Sequence, residues 1–247
     1  MPTRFVVYTP AMSTDRNFER SVLERLPGFK PSKADVRRVE ILNAVIACIA
    51  EEGVQNLNSL SISKRAKMRR SHVAYYFSSQ EKMIDAAVKY VVALSQEIVV
   101  AQLHEHRDPS SLLGAYVDAT YSWLSRFPQH GAVMSLLQYL AGISPGYHSL
   151  MTQVQKASED RIAGMLLYGS VNDGARRKAA LKTAHEIRNY LVGALISFSG
   201  SGNPDDFDRH RQMVKARILS MAKTPTPPKA KRAPGYPKAK PTSRLHS

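Results

Sequence analysis

The chain has 247 residues, 43% of them apolar, with a net charge of +15 and one cysteine, Cys48. That is room for one large or two small packed domains; it excludes an intramolecular disulfide, and no run of about 18 apolar residues is present to span a bilayer. The charge is unevenly placed, net +3 over residues 1–33, +3 over 34–84, +2 over 85–222 and +7 over 223–247, so attraction for a polyanion belongs to the N-terminal part and the tail, not to the large body.

Residues 1–32 lack sustained periodicity and include Pro2, Pro10, Pro27, Gly28 and Pro31. A short helix over 15–26 is expected there, on the shared face of Phe18, Val22, Leu23 and Leu26. The apolar patch Phe5–Tyr8 is broken at Pro10 and is too short for a signal-peptide core, so a cytoplasmic, nucleoid-associated protein is expected. Ser32 can cap a first helix from about Lys33 that carries Val39, Ile41, Leu42, Val45, Ile46 and Ile49 inward and stops at Gly53. Cys48 falls on its apolar side and reads as a small core residue.

Next come two short helices, with apolar or small residues at Ile62, Ala66, Met68, Val73 and Phe77 and a break near Lys67, Met68 and Arg69. That spacing turns one face of each toward a shared core. Lys64, Arg65, Lys67, Arg69, Arg70, His72, Tyr75 and Tyr76 are left facing outward. A basic cluster followed by hydrogen-bonding and aromatic side chains suits a surface that holds phosphates and reads base edges. A fourth helix, about 79–104, is long enough to link this unit rigidly to the rest.

Beyond Pro109 the chain reads as helices over 110–127, 130–143, 147–168 and 174–199, separated by Pro128, by Ser144-Pro145-Gly146 and by Gly169. A last helix starts near Asn203-Pro204, with Asp205, Asp206 and Asp208 in its first turns, where the helix dipole favours anions. From Thr224 on, Pro, Lys, Ala and Arg dominate; a disordered, extended basic tail is expected, with phosphate contacts to flanking DNA.

Residues 37–87 resemble the DNA-binding half of the TetR family of bacterial transcription regulators. The likeness rests on Ile41-Leu42, on Glu51-Glu52-Gly53-Val54 at the end of the first helix, on Ile62 and Ala66, on Tyr76-Phe77, and on Glu81 with Met83-Ile84. Three positions depart from the usual pattern: Lys67 stands where the turn normally has Gly, Ala74 where Tyr is common, and Gln80 where Lys is common. The resemblance implies an all-α fold of about nine helices, a helix-turn-helix DNA-binding domain over 33–84 followed by an effector-binding and dimerisation bundle over 85–222. Residues 1–32 and 223–247 flank it as extension and tail.

The second helix of a helix-turn-helix presents its N-terminal part to the major groove, which makes Arg69, Arg70, Ser71, His72 and Tyr75 the candidate base readers. Ser61 and Tyr76 are candidate phosphate contacts, and Lys82 can take the role usual for a Lys at position 80. Aromatic and Met side chains in a bundle ordinarily pack, but such bodies commonly enclose a pocket; Tyr116, Trp123, Met134, Tyr139 and Met165 are its candidate lining. Ala180, Ala184, Ile187, Leu191, Ala194 and Leu195 form one stripe beside Tyr190 and Ile196, and with Met213, Ile218 and Met221 of the last helix they could either build a four-helix dimer interface or pack within their own chain.

His104 and His106 point to different sides of a helix, and no metal site is expected. No phosphate loop or nucleophile motif supports an enzyme, and no cofactor is expected. The reading is a ligand-responsive repressor, a homodimer on double-stranded DNA with a near-palindromic operator, responding to an unidentified small-molecule effector and independent of membranes. The alternative is a DNA-bound adaptor or chromosome-organising protein that recruits a protein partner and takes no small ligand.

Overall fold

Two residues with positive φ set the path of the N-terminal half. Gly53, at φ 84°, ends the first helix and donates its N–H to the Cys48 carbonyl at 3.1 Å, and glycine adopts that conformation without steric cost. Lys67, at φ 52°, is the one non-glycine residue in that region among the described residues. It ends the second helix, with its own N–H on the Lys64 carbonyl and the Met68 N–H on the Ser63 carbonyl at 2.9 Å. This pair of bonds is the Schellman arrangement, which satisfies carbonyls a helix end leaves open.

The computed structural model describes residues 33–104, 111–168, 174–201 and 203–223. Within them lie α1 Lys33–Glu52, α2 Ser59–Arg65, α3 Arg70–Tyr76, α4 Gln80–His104, α5 Leu112–Arg126, α6 Gln129–Ile143, α7 Pro145–Leu166, α8 Gly174–Ser201 and α9 Phe207–Lys223. Short 3-10 turns occupy Val54–Asn56 and Pro204–Asp206. The fold is all-α, with no strand among the described residues. The expected helix over 15–26, the Ser32 cap and the tail from Thr224 lie outside the described residues. Pro145 does not break the chain before α7, as its neighbours Ser144 and Gly146 suggest, but opens that helix. Its missing N–H is one the first turn leaves unpaired in any case.

The helices close over two apolar clusters. The first joins α1 through Ile41, Val45 and Cys48 to Ile62, Val73 and Phe77 of the helix-turn-helix and to Met83, Val88 and Leu94 of α4. It continues through Val133 and Leu137 of α6 to Trp123, Leu124 and Met151. Burial raises the Cys48 thiol pKa, with Glu52 adding to the effect, which suits a packing residue. The second cluster gathers Tyr116, Val117 and Tyr121 of α5, Ile162 of α7, Ala184, Ile187 and Leu191 of α8, and Val214 and Ile218 of α9.

The second cluster decides between the two readings of the α8 stripe. Ala180, Ala184, Ile187 and Leu191 are buried in the protein's own core, with Ala194, Leu195, Tyr190 and Met221 packed against it. They are not an exposed interface, because α8 spends that face on α7 and α9. Ile196 and Met213 remain exposed on these two helices.

One polar side chain sits deep in the first region. His130 is 4% exposed, stacks on Phe127 with ring centroids 4.8 Å apart, and accepts the Trp123 Nε1–H on its Nδ1 at 3.1 Å. That bond requires the neutral ring with its proton on Nε2, and burial pulls the pKa down to about 3.

Two outcomes follow from this packing. Lys67→Gly should stabilise the protein by roughly 0.5–1 kcal/mol, the relief of left-handed strain less the extra freedom glycine gives the unfolded chain. Thermal melts of both forms check it; an unchanged or lower Tm would refute it. Because His130 takes up a proton at about pH 6.5 when unfolded and only near pH 3 when folded, its contribution holds above pH 6.5 and drains away as pH falls toward 3. Denaturant titrations at pH 7 and pH 5 should show the wild type losing about 2 kcal/mol more than His130→Gln over that interval.

Candidate nucleic-acid interface and ligand cavity

α3 is anchored by Val73 and Phe77, both buried. Its other face carries Arg69, Arg70, Ser71, His72, Ala74 and Tyr75 into solvent, and Tyr75 is 84% exposed. All five expected readers are therefore exposed along this short helix. Arg70 is tied back to α2, its Nε donating to Ser59 Oγ at 3.1 Å. Tyr76 is half-buried and meets Tyr75 edge-on, with centroids 5.3 Å apart.

Other members of the basic cluster are placed differently. Arg65 does not face outward: its guanidinium pairs with Glu51 at 2.7 Å and with Glu52, clasping α2 to the end of α1. Ser61 is half-buried and its hydroxyl is engaged in a capping box. Asn58 Oδ1 accepts the Ser61 N–H at 2.9 Å, Ser61 Oγ accepts the Asn58 N–H at 3.1 Å, and the Ser61 hydroxyl reaches the Asn56 and Asn58 carbonyls at 2.9 Å. Such a reciprocal cap fixes a helix start. Lys82 is exposed on the first turn of α4 and borders a groove with Glu81, Asp85 and Tyr147, so its charge has carboxylates nearby. Gln80, where a Lys is common, donates its amide to the Val54 carbonyl at 2.8 Å.

Arg37 joins the surface from α1, lining a groove with Met68, His72, Tyr75 and Tyr76. Sequence reading passes over it because periodicity places it only on the solvent side of α1. Its proximity to α3 is a matter of how α1 crosses the unit.

The body contains a cavity of about 150 Å³ bounded by α4, α5, α6, α7 and α8. It lies where the two apolar clusters meet, since Trp123, Leu124 and Met151 belong to one and Val99 and Tyr116 to the other. Of the expected lining, Tyr116, Trp123 and Met134 are present. Tyr139 is not: it sits on the outer face of α6 and is 65% exposed, being five residues past Met134 and so well round the helix. Met165 packs against the second cluster instead, a turn beyond Arg161, where the cavity ends on α7.

Two charged side chains line this cavity, and both are arginines. Arg188 is 7% exposed and donates to Asn189 Oδ1. Its distance to Glu159 Oε1 is 3.9 Å, beyond hydrogen bonding, because that oxygen takes a 2.8 Å bond with His185 Nδ1. Burial lowers the Arg188 pKa, with Glu159 opposing the effect. Arg161 reaches Gln96 Oε1 at 3.4 Å. The sequence did hold one sign of this: Arg188 lies on the stripe of Ala184, Ile187 and Leu191, where a charge is costly unless something uses it.

Cavity and helix-turn-helix are joined by side chains as well as by the core. Gln129, the first residue of α6, donates to Glu51 Oε1 at 2.9 Å, and Glu51 Oε2 holds Arg65 of α2. His130 and Gly131 follow at once, the latter in the cavity wall. Among the described residues no group of three or more His, Cys, Asp or Glu is placed to hold a metal ion, and no helix is long and apolar enough to cross a membrane.

No family model matches the chain. It is 25% identical over 196 residues to the HTH-type transcriptional regulator BetI of Burkholderia ambifaria, spanning 67% of this chain and 98% of that one. Among solved structures it is similar to a transcriptional regulator from Saccharomonospora viridis in complex with choline, with TM-score 0.63 and 19% identity over 75% of this chain and 96% of that one. A TetR-like regulator from Rhodococcus sp. RHA1 matches with TM-score 0.61 and 11% identity over 79% and 100%. All three are regulators of transcription. With its helix-turn-helix, its nine described helices and this likeness along most of its length, the chain resembles the TetR-like transcriptional regulators in sequence and in fold.

Proposed function

We propose that this regulator is a ligand-responsive repressor that binds a near-palindromic operator as a homodimer, with residues 33–84 reading DNA and 85–222 binding the effector and pairing the protomers. The observation that carries this reading is the continuous connection between an exposed basic helix and a hollow body. Arg69, Arg70, Ser71, His72 and Tyr75 share the open face of α3, while the apolar cluster beneath them ends in the cavity wall at Trp123, Leu124 and Met151. Arg and His at the start of such a helix can reach base edges, and each good bidentate Arg contact discriminates by about 1–3 kcal/mol. Tyr76, Lys82 and Arg37 are assigned to the flanking phosphates. Ser61 acts there through its cap, by fixing the start of α2. Ile196 and Met213, left exposed on α8 and α9, fall to the dimer interface.

An effector in the cavity would act on α6, whose first residue holds Glu51 and through it Arg65. It shifts the population of DNA-binding geometries by no more than its differential affinity for them. A DNA-bound adaptor without a ligand, the other reading of the sequence, would be expected to have a filled body; a cavity of about 150 Å³ favours the responsive regulator.

Selection of bound fragments from a random duplex library should return an inverted repeat, and sedimentation should give two protomers per site. Arg70→Ala and Tyr75→Ala should each weaken binding to the selected site about tenfold or more, with circular dichroism and oligomeric state unchanged. Loss of helicity in step with affinity would mean these are packing residues; selection of no preferred sequence would sink the operator reading.

A further inference from the structure

The charge of the cavity wall says what kind of molecule it is built to hold. A guanidinium carries five N–H donors and no acceptor. Arg188 uses one of them on a neutral amide oxygen, and its nearest carboxylate stands at 3.9 Å with a shorter partner of its own. Among the described residues Arg161 has only the long bond to Gln96, and no carboxylate lies within salt-bridge distance of it. Asp and Glu are absent from the lining, whereas Val99, Leu124, Met134, Val154 and Val192 supply an apolar surface. A nearly buried cation is costly unless paired and hydrogen-bonded, and a planar fork of donors is best answered by a carboxylate.

We infer that the cavity takes a small organic anion, a carboxylate carried on an apolar body of roughly the size of a six-carbon ring or short chain, with Arg188 as its principal anchor and Arg161 as a second positive wall. The inference rests on the ligand-responsive reading above and gives its effector a chemical class. It also separates this chain from the Saccharomonospora regulator solved with choline. A quaternary ammonium needs aromatic faces and no nearby like charge. Here Trp123 and Tyr116 are present, but so are two guanidiniums with no lining carboxylate to offset them. Tyr116 and Trp123 then serve as flat apolar walls, their polar atoms already engaged with Ser158 Oγ at 3.0 Å and His130 Nδ1 at 3.1 Å.

The test is a thermal-shift and calorimetric series on the full chain with benzoate, phenylacetate, hexanoate and octanoate, each paired with its neutral amide, and with choline. At least one acid should raise Tm by several degrees and bind at least tenfold more tightly than its amide, while choline gives no shift. Arg188→Gln should erase the acid's effect with unliganded circular dichroism unchanged, and Arg188→Lys should keep part of it. If Arg188→Gln does not fold, Arg161→Gln should still weaken the acid several-fold without touching the amide. Equal shifts from acids and amides, a shift from choline alone, no shift from any probe, or an acid effect that survives both arginine variants would each overturn the inference. Binding to the selected DNA, measured in parallel, keeps the two readings apart. An acid that binds without releasing DNA removes the effector role and leaves the anion site. Choline that binds and releases DNA does the reverse.

Discussion

Helix α1 is committed on two sides, and the rest of the molecule depends on that. Ile41, Val45 and Cys48 pack among the residues beneath α3 and at the same time into the cluster that α6 completes with Val133 and Leu137. An interior packed to crystal-like density does not deform continuously. A displacement of α6 therefore has to be met by α1, and so by the helices that α1 carries. The polar contacts run the same way. Glu51 gives one oxygen to Gln129 of α6 and the other to Arg65 of α2. An exposed pair of this kind contributes about 0.2–1 kcal/mol to stability; its importance is geometric, since it fixes where α2 sits against the end of α1.

The cavity is a consequence of the same architecture. Five helices cannot converge on one point, and at the seam between the two clusters their side chains leave a gap that α5 spans, with Tyr116 toward one cluster and Trp123 toward the other. His130 packs behind Trp123, desolvated enough to stay neutral to about pH 3. Its hydrogen bond holds the indole edge-on to α6, so the wall of the cavity and the first turn of the helix touching Glu51 form one rigid piece. Opposite, α7 and α8 bring in Arg161 and Arg188. A buried guanidinium contributes little to stability by itself, and its presence where the bundle is hollow separates this region from ordinary core.

Much of this was legible in advance where the signal is local. The stop at Gly53 and the break at Lys67 come from single residues whose backbone preferences are strong, and the structure has positive φ at both. The apolar spacing of Ile62, Val73 and Phe77 likewise leaves few choices for what α3 can expose. The misplacements occurred where two faces were both plausible. Tyr139 and Met165 are on cavity-bounding helices, yet one turns outward and the other packs beyond the cavity's end. Arg65 groups with its basic neighbours in sequence, because sequence records its charge and not the two carboxylates fourteen and thirteen residues earlier that fold back onto it.

Periodicity, caps and the position of charge determined by themselves that this chain is helical, where most of its helices start and stop, and which short helix offers a basic, aromatic face. Those properties depend on neighbours within a turn or two, where covalent geometry limits the outcome. Which apolar stripe is shared inside the protomer and which is left open, that Arg188 and Arg161 meet a common hollow, and that Arg37 comes alongside Tyr75 were decided only in three dimensions. Each depends on the angle at which distant helices cross, and that angle is set by the packing of both clusters together.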